Sequence, residues 1–86
     1  MDHIEGHKVT YYVVQTFSWL NDEIVADEPK AVQSATSAKL AIERLPENKV
    51  GGLAFSRTGD PLSGEFDDAV IIAQKGTIPT AEEEFV

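Results

Sequence analysis

Apolar and polar positions change rhythm along this chain, and each change marks an element. Residues 8 to 20, KVTYYVVQTFSWL, are dense in β-branched and aromatic side chains. Alternation places Val9, Tyr11, Val13, Phe17 and Trp19 on one face, interrupted by Gln15, and Thr10, Tyr12, Val14, Thr16 and Ser18 on the other. The pattern predicts a strand with one apolar face and one mixed face. Asn21-Asp22 tolerates tight-turn backbone angles, so EIVADEP is expected to return as a second, shorter strand. Pro29 has no N–H for the ladder, which places that strand at a sheet edge or ends it.

The period then lengthens. Ser34 is a good N-cap, and Ala38, Ala41, Ile42 and Leu45 follow at helical spacing. Leu45 precedes Pro46, which disfavours helical geometry, and Asn48 tolerates a left-handed backbone, so a helix of about three turns should stop there. VGGLAFS and DAVIIAQ read as two more strands, the second so continuously apolar that a central place in the sheet is expected. Gly51 and Gly52 suggest a bulge or a close approach to the helix.

Together these elements predict a small α+β fold in one domain, residues 8–79, with the order β-β-α-β-β. The sheet is expected to be largely antiparallel, of three to four strands, with one helix on one face. Residues 1–7 and 80–86 read as flexible tails. One helix covers one sheet face. The other is expected to expose Tyr12, Val14 and either Ile71 or Ile72, more apolar surface than a small monomer usually leaves open, so self-association through Tyr12 and Val14 is the expectation.

Composition narrows the functions. Seven Lys and Arg stand singly among fifteen Asp and Glu, for a formal net charge of -8. Nucleic-acid binding is set aside, because affinity for phosphate backbones rests on clustered cations. Neither a secretion signal nor an apolar run of roughly 18 to 20 residues is evident, so no membrane contact and a cytoplasmic location are expected. Without cysteine there is no disulfide framework, thiolate chemistry or Cys-based zinc site, and no cofactor is implied.

One polar stretch, FSRTGDPLSGEFDD at residues 55 to 68, stands between two strand-like segments and reads as a long loop. Asp60-Pro61 and Ser63-Gly64 are turn formers, and Leu62 and Phe66 can tuck onto the domain, so a self-packed loop accounts for most of it. In that reading Thr58, Asp60 and Ser63 bond backbone amides, and Arg57 pairs with Asp60 or Glu65. A ligand reading instead groups Ser56, Arg57, Thr58 and Asp60 around one carboxylate or phosphate. Gly59 and Gly64 have the spacing of a phosphate-cradling loop, but Glu65 and Phe66 stand where its lysine and hydroxyl belong. A metal reading groups Asp60, Glu65, Asp67 and Asp68 around a hard cation, at spacings unlike an EF-hand.

Catalysis finds little support, because the only histidines, His3 and His7, lie in the N-terminal tail. The acidic ending EEEFV has the composition of a segment that a β-augmenting domain or adaptor captures. Two expectations remain: a non-catalytic interaction module, homodimeric through the uncovered sheet face or an edge strand and presenting the 56–68 loop to a protein partner, or a small-ligand or metal sensor using that loop.

AFSRTGDP at residues 54 to 61, followed by GEFDDAVIIA and GTIP, resembles a group of short bacterial proteins of uncharacterised function. The resemblance covers residues 9 to 79 and centres on Ser56, Arg57, Thr58, Gly59, Asp60 and Pro61. It implies the same order of hairpin, Ala-rich helix and polar turn, and no activity or cofactor. YYVVQTFS is also similar to the opening strand of peptidoglycan-binding SPOR domains, but there a helix follows directly, whereas here a second strand intervenes.

Overall fold

The structure is a computed structural model and describes residues 8–79. The two expected tails lie outside the described residues. The chain forms β1 (Val9–Leu20), β2 (Glu23–Ala26), β3 (Lys30–Val32), α1 (Ala35–Glu43), β4 (Gly51–Asp60), β5 (Glu65–Phe66) and β6 (Val70–Gly76). This is the small α+β fold expected, a largely antiparallel sheet with one helix on one face. β1 and β4 are the two central strands. β2 and β3 both pair with β1 along one edge, and β5 and β6 both pair with β4 along the other.

The two hairpins share a construction. Phe17 pairs with Ala26 and Val14 with Lys30, so Gln15 and Thr16 face the three residues Asp27, Glu28 and Pro29. Gly59 pairs with Phe66 and Ser56 with Val70, so Arg57 and Thr58 likewise face Asp67, Asp68 and Ala69. Each is a bulge with one extra residue. In both, the aspartate amide donates to a threonine carbonyl, Asp27 to Thr16 at 2.9 Å and Asp67 to Thr58 at 2.8 Å. In both, a side chain from the central strand donates to the aspartate carbonyl, Gln15 Nε2 to Asp27 and Arg57 Nε to Asp67. The side chains thus replace ladder bonds that the extra residue removes. Ile72 is the extra residue of a further bulge, opposite the Ala54–Phe55 step.

The first hairpin turns through Asn21 and Asp22, both at positive φ, 52° and 67°. Positive φ at both central residues is what a two-residue turn matched to strand twist requires. The helix begins at the expected N-cap, where Ser34 Oγ accepts from Ser37 N at 3.0 Å. It ends at Glu43 with Arg44 as C-cap, one turn earlier than expected, and Asn48 is not among the positive-φ residues. No basic side chain occupies its last turn; Lys75 of β6 instead donates to the Glu43 carbonyl at 3.1 Å. A cation there complements the negative end of the helix dipole.

The core lies between α1 and the sheet, where Ala38 and Ile42 meet Val14 and Ala54. Gly52 permits this approach: a Cβ there would stand 3.0 Å from Ile42 Cδ1 and 3.1 Å from Leu45 Cδ1.

Three expectations are corrected. Val14 is 7 % exposed, within the core, and alternation puts Tyr12 on the same helix-covered face, so neither belongs to the open face. Helix and sheet meet on the mixed face because its smaller residues, Thr16, Ala54 and Gly52, let the helix come close. β6 is an edge strand, with Val70 and Ile71 exposed, because β4 is the one strand it pairs with. Residues 56 to 60 are strand: β4 runs through Ser56-Arg57-Thr58-Gly59-Asp60, and the loop shrinks to Pro61–Gly64 between Asp60 and its partner Glu65.

Candidate functional site

Strand alternation separates the residues grouped around the polar stretch. Ser56 pairs with Tyr12 and Thr58 with Thr10 on the helix side, whereas Arg57 pairs with Tyr11 on the open side. Ser56, Arg57, Thr58 and Asp60 are therefore not brought around one ligand. Thr58 Oγ1 meets Thr10 Oγ1 at 2.8 Å across the strands, rather than a backbone amide. Asp60 Oδ1 accepts from Leu62 N at 2.8 Å and Ser63 Oγ from Glu65 N at 3.3 Å, the local turn bonds expected. Leu62 does not tuck in; it is exposed.

Arg57 pairs with neither Asp60 nor Glu65. Its guanidinium lies over the Phe66 ring, 5.5 Å from the centroid, while Nε bonds the Asp67 carbonyl at 3.2 Å. Gly59 makes room for Phe66, because a Cβ at that position would overlap Phe66 Cγ. Phe66 in turn reaches Tyr11, with ring centroids 6.0 Å apart. Most of the S-R-T-G-D-P stretch thus has a structural task.

The carboxylates of Asp60, Glu65, Asp67 and Asp68 do not converge. Asp60 and Glu65 face each other across the hairpin, and Asp67 and Asp68 lie in the bulge. Among the described residues, no three His, Cys, Asp or Glu stand close enough to hold a metal ion.

Among the described residues, two other places gather apolar or polar side chains into a surface. The first is the open sheet face. Its cross-strand rows run Ala31–Val13–Phe55–Ile71 and Gln15–Leu53–Gln74, with Tyr11 beside Arg57 and Trp19 beside Ile24. Tyr11 is 43 %, Ile71 54 % and Trp19 61 % exposed. Phe17 is buried on this same side, because after Gly76 the chain passes over Gly51, where a Cβ would run into the Thr77 backbone. Thr77 N bonds Val50 O at 2.9 Å, and Ile78 and Pro79 come beside Trp19 and Ile24. Of the paired strand residues on this face, Arg57 alone is charged.

The second is a groove on the helix side, about 350 Å³ in volume, between α1 and the bulge at Asp27. Val14, Ala41, Leu45 and Pro46 form its floor, and Thr16, Asp27, Glu28, Lys30 and Lys49 its rim. Asp27 accepts from Thr16 Oγ1 at 2.6 Å and Ser18 Oγ at 2.9 Å, and pairs with Lys49 Nζ at 3.1 Å. Lys49 also donates to Ser18 Oγ at 3.2 Å. Thr16's hydroxyl first, then Lys49 and Ser18, hold the Asp27 carboxyl below its ordinary value, against the partial burial that raises it. Sequence reasoning missed this cluster. Thr16 and Ser18, two apart on one strand face, were its only local signal; Lys49 comes from beyond the helix.

No family model, curated protein or solved structure matches the chain. Among the described residues no helix is long and apolar enough to cross a membrane.

Proposed function

We propose that this chain is a non-catalytic interaction domain that pairs with a second copy of itself through the open sheet face. The observation that carries this reading is the segregation of charge: a chain of net charge -8 has a sheet face whose paired residues include one charged side chain, Arg57. Two such acidic chains approach most readily where neither carries acid. The eight paired positions of β1 and β4 from Val9 to Thr16, at ~3.3 Å each, across three to four strand widths of ~4.8 Å, give a footprint of about 450 Å². That is over half of the roughly 800 Å² each partner contributes to a standard stable interface.

Edge-to-edge pairing is disfavoured, because bulges interrupt both outer edges and Pro29 stands in one of them. Packing of two sheets face to face remains, with side chains of the two inner faces interleaved. Sedimentation velocity at high micromolar concentration tests this. The parent chain is expected to sediment as a dimer and the Trp19→Glu, Ile71→Glu double variant as a folded monomer. Both positions are exposed in the single chain, so the changes leave the fold intact. A parent chain that stays monomeric ends this reading.

A further inference from the structure

The groove beside α1 lies on the opposite side of the sheet from the proposed dimer face and stands independently of it. We infer that it is a binding site for a small zwitterion with an aliphatic side chain, an α-amino acid of the leucine type. The floor is aliphatic: Val14, Ala41, Leu45 and Pro46. Its volume of about 350 Å³ falls at the small end of the ~300–1,000 Å³ range of ligand pockets, and suits a ligand of this size.

The rim decides the head group. Lys30 and Lys49 are balanced by Asp27 and Glu28, so the groove as a whole matches neither a plain anion nor a plain cation. The four groups are not equally available. Asp27 is engaged by Thr16, Ser18 and Lys49, and Lys49 spends two of its three N–H bonds on Asp27 and Ser18. Lys30 and Glu28 have no hydrogen-bond or ion partner among the described residues. Lys30, with the remaining N–H of Lys49, receives the ligand carboxylate, and Glu28 receives its ammonium. A ligand bearing both charges next to an aliphatic chain uses both rim groups and the floor at once.

Amide NMR of the full chain, titrated with L-leucine, isocaproate and isoamylamine, tests the inference. The last two keep the side chain but lack the ammonium and the carboxylate respectively. Leucine is expected to shift residues around Val14, Lys30, Ala41 and Leu45 saturably, with each truncated analogue about tenfold weaker or more, the loss that one missing charge-assisted bond brings. Lys30→Gln and Glu28→Gln, both at exposed positions, are each expected to weaken leucine about tenfold without disturbing the rest of the spectrum. Absence of saturable shifts with leucine overturns the proposal. So does isocaproate or isoamylamine binding as tightly as leucine, or leucine binding unchanged in both variants.

Discussion

Asp27 stands where the first edge strand breaks and ties three segments together: its side chain reaches β1 at Thr16 and Ser18 and the segment after the helix at Lys49, and its backbone holds the bulge. Because these bonds lower its pKa in the folded chain, they stabilise the fold in full above the ordinary carboxylate value of about 3.8. The contribution is lost as pH falls through the lower, folded value. Urea denaturation across the acid range should therefore show Asp27→Asn less stable than the parent at neutral pH, with the gap closing below about pH 4. A constant gap down to the most acid point would mean that the ionised carboxylate contributes nothing. Arg57 has a comparable double role at the other bulge, bonding Asp67 and covering Phe66.

Among the elements, the first hairpin depends most on a single backbone feature. Asp22 holds φ at 67°, a left-handed conformation that an L side chain other than Asn or Asp disfavours and that Gly adopts without steric cost. Asn-Gly is the preferred pair for such a turn, so Asp22→Gly should raise stability by up to about 1 kcal/mol, measured as a shift in the thermal or urea midpoint. A loss of stability would show that the aspartate side chain contributes more than its backbone strain costs. The helix is the opposite case, secured at both ends by side chains, Ser34 at its start and Lys75 from β6 at its finish. Its short length leaves most of its stability to Ala38 and Ile42 packed on the sheet.

For the whole molecule, the distribution of charge matters more than its sum. The helix side, the turns and the bulges hold nearly all the ionisable groups of the described residues, and the open face holds Arg57. In the proposed dimer, two copies packed on their open faces would bury apolar surface while their remaining net acidity repels across the assembly. Added salt screens that repulsion, with a Debye length of ≈ 10 Å at 0.1 M, and leaves apolar burial little changed. The dimer constant from sedimentation equilibrium should therefore rise as salt increases from low to physiological strength. A fall over that interval would indicate association held by ion pairs and would locate the contact elsewhere.

The order of strands and helix was legible from the chain because the periods of 2 and 3.6 are local properties, set by how successive side chains point. The Asn21-Asp22 turn and the Ser34 cap were legible for the same reason: each depends on the conformation of residues a few positions apart. What tertiary structure decided is everything that depends on a distant neighbour. SRTGD looked like loop because its composition is polar, yet pairing with Val9–Tyr12 makes it strand and sends Arg57 to one face and Ser56 and Thr58 to the other. DAVIIAQ looked central because it is apolar, yet its single neighbour, β4, places it at the edge. Both faces of β1 carry valine and aromatic residues, so the alternation alone did not choose which one the helix covers. That choice was made by Gly52 and Ala54 on β4, whose small size lets Ile42 settle against Val14 and leaves Tyr11, Val13 and Trp19 on the uncovered side.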